Sequence, residues 1–455
     1  MIDREEERKR LAQAAAEPPQ LVVLRGRRRV GKSFLIDRAL EKGRVVSFQA
    51  DEQDEQSHLE VLAQEAARLL PGSPPLSFSD WDSAFDFFST QAKDRALALV
   101  LDEFQWMVAA QPALPSILQR HWDRWQRDGV KLSIVLSGSA LSLMEELLSH
   151  SSPLYGRANY RPLIEPLDYR FAAQFAREDS SPEALLRRYA VLGGTPQYQV
   201  WAGKSSLTSV IRDRILTKGE SLYEEPLHLL RQEQKIRDPG TYFAVLRVIA
   251  GGATQFNEIE QQGRVEANLS VMLDRLEELG YIEKRLPVET GSKRPRPSYR
   301  IADPFFRFWF RYVFPNRNRL ERGRVDEVLH EIEEDLDNFM GPAFEDCCRD
   351  WVGRYALAKQ FGTLETLGTY WARDGQVEID VAGMSKNKYV LLGSCKWSAK
   401  AKATAVGKLL SHRDHLGGPA RKANLVVFAR GFAADAEKKA EDEDVTLITA
   451  SQLFT

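Results

Sequence analysis

Residues 21–33 read LVVLRGRRRVGKS, and this stretch decides the fold of the first part of the chain. The apolar run at 21–24 predicts a β-strand, and residues 26–33 match the spacing GxxxxGK(S/T) before a helical pattern that opens at Phe34. Glycines let such a loop turn its N–H groups towards phosphate, Lys32 reaches the β- and γ-phosphates, and the Ser33 hydroxyl ligates Mg²⁺. The helix N-terminus adds positive potential. The predicted binding residues for ATP and Mg²⁺ are Gly26, Arg27, Arg28, Arg29, Val30, Gly31, Lys32, Ser33 and Phe34.

Further apolar runs at 44–48, 96–101 and 132–136 alternate with helical stretches, which predicts an α/β fold with a mainly parallel sheet. The run ALALVLDEFQW (96–106) ends in Asp102, expected to hold Mg²⁺ through water, and Glu103, expected to polarise the attacking water. The motif Ser-Gly-Ser at 137–139 suggests that Ser137 senses the γ-phosphate. Arg157, in LYGR, is either an arginine finger acting in trans or a structural arginine. The predicted catalytic side chains are therefore Lys32, Glu103, Ser137 and Arg157.

Length and composition limit the class of protein. With 455 residues and roughly 150 per domain, about three domains are expected. The 63 basic and 65 acidic residues give a net charge of −2, which excludes a uniformly basic DNA-coating protein but not a local basic patch. The charged start MIDREEERKR, the lack of a long apolar run and three cysteines without CxxC spacing favour a cytoplasmic protein with no membrane contact.

The pattern divides the chain into four predicted parts. A P-loop domain (1–165) is followed by a helical lid (166–238), and helices with a strand pair then suggest a winged helix-turn-helix (239–324). The last part (325–455) begins with an acidic helix at 325–339 and a second helix at 343–358. Strands are expected near 375–382, 388–396 and 423–428, with a helix at 400–412.

The predicted wing is strongly basic. Residues 284–324 contain twelve Lys or Arg against three acids, and the tip GSKRPRP carries Lys293, Arg294 and Arg296. Such a surplus favours binding of double-stranded DNA, because it releases counterions from the duplex. The third helix, however, carries three acids, so docking of a protein partner stays open as an alternative; these acids are Asp274, Glu277 and Glu278.

The last part suggests a second metal site. Glu345 on a helix, Asp380 at the end of VEID and Lys396 in GSCKW have the order found in PD-(D/E)xK nucleases, whose carboxylates bind Mg²⁺. Two positions before the lysine stands Ser394, a much weaker ligand than a carboxylate, although Glu378 shares a strand face with Asp380. Either the fold is retained without catalysis or the chain is an ATP-gated, Mg²⁺-dependent DNA nuclease.

Several motifs together resemble the archaeal-type P-loop ATPase family of the STAND/AAA+ superfamily; they are IDREEERKRL, GRRRVGKS, LDEFQW, SGSALSLMEELLSHSSPLYGR and LGGTPQY. Bacterial members often add a winged helix and a C-terminal domain of unknown function similar to PD-(D/E)xK nucleases. The resemblance implies ATP binding at Gly26, Gly31, Lys32 and Ser33, metal binding and hydrolysis at Asp102 and Glu103, and a junction after the lid at GGTPQY (193–198). Such C-terminal domains usually read GECKW, whereas this chain reads GSCKW.

These observations predict a nucleotide-driven ATPase switch that is associated with DNA and has an inactive nuclease-like domain. The alternatives are the ATP-gated nuclease and a signalling ATPase whose winged helix docks a protein. A homo-oligomer is compatible with the sequence.

Overall fold

The computed structural model describes residues 2–40, 44–69, 75–233, 236, 238–265, 268–288, 296–356, 358–372 and 375–455. The chain forms two compact units, Met1–Pro166 and Leu167–Thr455.

The first unit is built on a parallel sheet in the order β1-β4-β3-β2. Segment 160–164 continues this sheet beyond β1 through isolated parallel bridges to Val22 and Arg25. The strands are β1 (Leu21–Arg25), β2 (Val45–Gln49), β3 (Leu97–Asp102) and β4 (Leu132–Gly138). The helices are α1 (Glu5–Ala16), α2 (Lys32–Leu40), α3 (Glu55–Ala67), α4 (Trp81–Gln91), α5 (Phe104–Ala110), α6 (Leu114–Asp128) and α7 (Leu141–Glu146).

Helices cover both faces of this sheet. Along β1, Leu21 and Val23 pack into one buried cluster, while Val22 and Leu24 pack into another. Side chains alternate between the two faces of a strand, so a strand buried on both faces is apolar throughout. This explains why strands β1, β3 and β4 appear in the sequence as continuous apolar runs. The predicted α/β fold with a parallel sheet is confirmed.

The second unit begins with helices. Those before its first strand are α8 (Tyr169–Ala173), α9 (Pro182–Leu192), α10 (Pro196–Ala202), α11 (Leu207–Val210), α12 (Ser221–Gln232), α13 (Pro239–Ala250), α14 (Phe256–Gly263) and α15 (Leu269–Glu278). An antiparallel pair follows, β5 (Ile282–Arg285) and β6 (Ser298–Ile301), with Ile282 opposite Ile301. The first three residues of the motif GGTPQY connect α9 to α10, and its last three residues begin α10. The motif is therefore inside the helical stretch, whereas the resemblance implied a position after it.

After this hairpin come α16 (Pro304–Phe308), α17 (Phe314–Leu320), α18 (Val325–Asp350) and α19 (Ala358–Phe361). Helix α18 replaces the two helices predicted at 325–339 and 343–358, because it continues through Pro342. Its side chains on both sides of the proline, among them Phe339 and Phe344, are buried in the core of the unit. Packing here outweighs the helix-breaking tendency of proline.

The unit ends in a mixed five-stranded sheet in the order β11-β10-β9-β8-β7. Strands β9, β10 and β11 are mutually parallel, whereas β8 runs antiparallel to both β7 and β9. The elements are β7 (Thr366–Trp371), β8 (Glu378–Ser385), β9 (Lys388–Lys396), α20 (Ala403–Leu416), β10 (Asn424–Ala429), α21 (Ala434–Asp442) and β11 (Val445–Thr449).

Candidate functional site

The loop between β1 and α2 has the backbone that its glycines make possible. Gly31 has φ of 94°, a left-handed backbone conformation that favours glycine. Open space surrounds the position that a Cβ would take, so steric crowding is not the reason for glycine there. At Gly26 the reason is different, because a Cβ would lie 2.5 Å from the Ile164 carbonyl oxygen. The loop is therefore packed closely against segment 160–164.

Lys32 begins α2 and is buried, with 6% of its surface exposed. Its ammonium donates hydrogen bonds to the carbonyl oxygens of Gly26, at 2.8 Å, and Arg27, at 3.1 Å. Burial lowers the pKa of Lys32, while the nearby carboxylates of Glu103 and Asp102 act to raise it. The ammonium is thus held inside the curve of its own loop, where the sequence pattern predicts phosphate.

Ser33 joins the loop to the end of β3. Its hydroxyl donates a 2.6 Å hydrogen bond to Asp102 Oδ2, and Asp102 Oδ1 accepts the N–H of Glu103 at 3.0 Å. The fold thereby brings together two motifs that are 69 residues apart. A hydroxyl and a carboxylate are the oxygen donors that Mg²⁺ prefers. The residues present therefore fit the predicted magnesium site.

Glu103 is held by two polar neighbours. Its Oε2 accepts a 2.7 Å hydrogen bond from the Ser139 hydroxyl and a further one from the Gln105 side-chain amide. The Gln105 amide also donates to Ser139 Oγ at 3.2 Å. Ser137, which the sequence suggested as the sensor, is fully buried, and its hydroxyl has no hydrogen-bond partner among the described residues. Gln105 and Ser139 were missed, although both lie within motifs already noted.

Arg157 is engaged in an ion pair within its own unit. Its guanidinium donates to both carboxylate oxygens of Asp123, at 2.7 and 2.8 Å, and to the Pro153 carbonyl oxygen at 3.0 Å. This pairing lowers the pKa of Asp123. The contacts are those of a structural arginine, and action in trans stays a prediction.

Several basic side chains of the stretch 284–324 form ion pairs with acids. Lys293 and Arg294 lie outside the described residues; Arg296 is exposed, and its carbonyl oxygen accepts a hydrogen bond from Trp371 Nε1 at 3.3 Å. At least five of the twelve basic side chains pair with acids of α18; these arginines are Arg285, Arg300, Arg311, Arg319 and Arg324. The local surplus of positive charge is therefore much smaller than the sequence of this stretch alone indicates.

The chain that leaves β5 is also packed against the C-terminal sheet. Val288 donates its N–H to the Thr369 carbonyl oxygen at 2.8 Å, and its own carbonyl oxygen accepts the Tyr389 hydroxyl at 3.0 Å. Its side chain belongs to a buried cluster of that sheet. The start of the loop between β5 and β6 is thus anchored on β7 and β9.

The second predicted metal site is only partly assembled. Asp380 Oδ2 accepts the N–H of Cys395 at 2.6 Å and the Ser394 hydroxyl at 3.3 Å. Lys396 lies on the same strand as Ser394, and Glu345 approaches from α18. Within the part of the chain that the structure describes, no three His, Cys, Asp or Glu side chains are arranged to hold a metal ion.

None of the described helices has the length and apolar character needed to cross a membrane.

A parallel sheet with a lysine-containing loop at the carboxyl end of its first strand is the fold typical of P-loop ATPases. Residues 1–200 match the family described as an ATPase domain predominantly from Archaea. Residues 309–406 match a second family, described as archaeal and bacterial proteins of unknown function. The first unit is accordingly similar to this ATPase domain family in sequence and has the parallel-sheet fold typical of P-loop ATPases.

The matches to proteins of similar sequence or fold cover most of the chain. An uncharacterized protein of Methanocaldococcus jannaschii is 28% identical over 402 residues, which is 87% of either protein. The Walker-type ATPase of Pyrococcus abyssi has a TM-score of 0.51 at 21% identity, and the match covers 68% of this chain and 96% of that one. The ORC2 protein of Aeropyrum pernix gives 0.44 at 16% identity, with 73% and 96% covered. The Pyrococcus structure supports the fold of this chain.

Proposed function

We propose that this protein binds and hydrolyses ATP and acts as a nucleotide-driven switch. The observation that carries the proposal is the hydrogen bond from Ser33 to Asp102, with the Lys32 ammonium enclosed by the same loop. These side chains come from separate motifs, and their meeting at the carboxyl end of a parallel sheet is the arrangement that nucleotide binding requires.

Each residue has a distinct role in this proposal. Lys32 binds the β- and γ-phosphates, and the loop N–H groups surround them. Ser33 and Asp102 hold Mg²⁺, which neutralises charge on the phosphate oxygens when it is bound. Glu103 orients and polarises the attacking water, whereas the neighbouring residue Asp102 is a ligand of Mg²⁺.

The test is phosphate release and ATP affinity of the full chain. Lys32→Ala should lose ATP affinity, whereas Glu103→Gln should bind ATP without turnover. Lys131→Ala and Glu60→Gln, two exposed positions of the same unit, are the matched controls and should behave as the parent. Normal hydrolysis by both site variants would refute the site assignment.

We also propose that α13, α14, α15 and the β5–β6 hairpin form a winged helix-turn-helix that associates with duplex DNA. Their order supports this proposal. Phosphate release should then rise with duplex DNA at low salt, and this stimulation should fade at high salt. Turnover that is indifferent to DNA at both salt concentrations would contradict it.

A protein partner is the second candidate, and two observations favour it. Asp274, Glu277 and Glu278 are exposed on α15, the helix that would enter the groove. The start of the loop between β5 and β6 is anchored on the C-terminal sheet by Val288.

For the C-terminal sheet, together with α18 and α20, we propose a nuclease-like fold without cleavage activity. DNA cleavage in Mg²⁺ that disappears in Asp380→Ala and Lys396→Ala would contradict this.

A further inference from the structure

Three carboxylates, hereafter the carboxylate cluster, lie on the neighbouring elements α18 and β8: Glu345 on the helix, and Glu378 and Asp380 on the strand. Desolvation and the charge of Asp380 both raise the pKa of Glu345, and the same two causes raise the pKa of Glu378. A cation placed beside these carboxylates therefore stabilises their charged form.

Arg349 lies one helical turn after Glu345 and points into this cluster. Its Nη1 donates a 2.7 Å hydrogen bond to the main-chain carbonyl oxygen of Asp380 and lies 4.0 Å from Glu345 Oε2. Only 11% of its side chain is exposed. A guanidinium in this place stabilises both the helix carboxylate and the strand backbone, because it carries a fixed charge and several donors in one plane.

One carboxylate oxygen of Asp380, Oδ2, is also in use. Cys395 N–H and the Ser394 hydroxyl both donate to Oδ2. An oxygen that accepts two protein hydrogen bonds is a poor ligand for a hard cation, since binding a metal would break them. The serine that replaces the expected acid therefore contributes a donor to Asp380 instead of a further metal ligand.

Other cations face the cluster from neighbouring elements. Lys396 on β9 and Lys408 on α20 oppose the rise in the pKa of Glu378, and Arg300 on β6 opposes that of Glu345. His412 on α20 is nearly buried, and burial and Lys408 lower its pKa. Positive charge thus reaches the cluster from α18, β6, β9 and α20.

We propose that Arg349 is a permanent internal counter-ion that takes the place of a divalent cation in the carboxylate cluster. The cluster then fastens α18 to β8 and does not support metal-dependent chemistry. Arg349 also contacts Asp346, which pairs with Arg285 and Arg300 of the hairpin, so the same charges connect the hairpin to α18. This inference rests on the proposed nuclease-like fold without cleavage activity, and it is independent of the proposed ATPase activity, since it concerns the nucleotide-free chain.

The experiment measures Mn²⁺ binding to the full chain by electron paramagnetic resonance without nucleotide. All variants carry Ser33→Ala, which weakens binding at the P-loop. The Ser33→Ala parent and its Asp380→Asn variant should bind the same number of Mn²⁺ ions. Arg349→Met should gain Mn²⁺ binding that Asp380→Asn then removes, whereas Arg349→Lys, which keeps the positive charge, should gain none.

Two results would overturn the proposal. One is Mn²⁺ binding by the parent that Asp380→Asn abolishes, and this comparison does not depend on whether Arg349→Met folds. The other is a folded Arg349→Met variant, verified by circular dichroism, that gains no Mn²⁺ binding.

Discussion

Glu103 is held in one orientation by donors from two directions. The Ser139 hydroxyl approaches from the end of β4 and the Gln105 amide from α5, and both bind the same carboxylate oxygen. The backbone of Glu103, directly after β3, is left-handed, with φ of 53°. Its side chain therefore does not follow the alternating directions of the side chains along β3. Ser139 and Gln105 are therefore positioning residues for the group that polarises water.

We predict that Ser139→Ala lowers kcat for ATP about tenfold and leaves ATP affinity unchanged. The lost charge-assisted hydrogen bond is worth about 1.5 kcal/mol, which corresponds to that factor if the bond persists into the transition state. Ser139→Thr should restore most of the rate. The matched control is Ser137→Ala, whose hydroxyl has no hydrogen-bond partner among the described residues. A slow Ser137→Ala beside a normal Ser139→Ala would return the sensor role to Ser137.

At the scale of elements, the phosphate loop depends on its contact with segment 160–164. Ile164 donates its N–H to the Arg25 carbonyl oxygen at 2.7 Å, and the Ile164 carbonyl oxygen stands where a Cβ of residue 26 would go. The loop and this segment can therefore move only together.

We predict that Gly26→Ala destabilises the first unit by about 1–3 kcal/mol and abolishes ATP binding. The new Cβ meets backbone that cannot turn away as a flexible side chain would. Gly129→Ala is the control, because Gly129 ends α6 with φ of 66° in open space. It should cost about 1 kcal/mol and keep ATP affinity. Urea unfolding and ATP titration measure both effects, and unchanged affinity in Gly26→Ala would contradict the argument.

The sequence predicted elements best where burial is strongest. The buried strands β3 and β4 stand out as apolar runs, whereas β7 and β11 were missed. Both missed strands lie at sheet edges and are only partly buried, so they lack a continuous apolar signal. Lys32 and Ser33 were predictable because phosphate binding fixes the spacing of the loop motif, and Asp102 was predictable because it ends a buried apolar strand. The hydrogen bond from Ser139 to Glu103 was not predictable, because it depends on the direction in which each serine side chain of 137–139 points.

At the scale of the whole molecule, charge pairing determines how strongly DNA can be bound. The surplus of nine positive charges in 284–324 alone predicts a log–log salt slope of about −8. Since at least five of these arginines face acids of α18, few remain for phosphate contacts. The candidates for such contacts are Lys293, Arg294 and Arg296 of the predicted wing tip.

We therefore predict a slope of about −3 for duplex binding, measured by fluorescence anisotropy at several salt concentrations. Replacing Lys293, Arg294 and Arg296 together with alanine should remove most of the binding. A triple variant of exposed lysines elsewhere in the second unit, Lys400, Lys402 and Lys438, is the control and should bind as the parent. A slope near −8 would mean that the ion pairs to α18 open when DNA binds.

ATP should stabilise one unit selectively, because the Lys32 and Asp102 side chains lie in Met1–Pro166, which has its own buried core. A ligand that binds only the folded state at 100 times its Kd adds about 2.7 kcal/mol of stability. Differential scanning calorimetry should therefore show one transition that rises by several degrees with ATP and Mg²⁺, and another that does not move. Lys32→Ala should abolish the shift, whereas Lys131→Ala should keep it. A single transition that shifts as a whole would show that the two units unfold cooperatively, and nucleotide binding would then act on the stability of the C-terminal sheet as well.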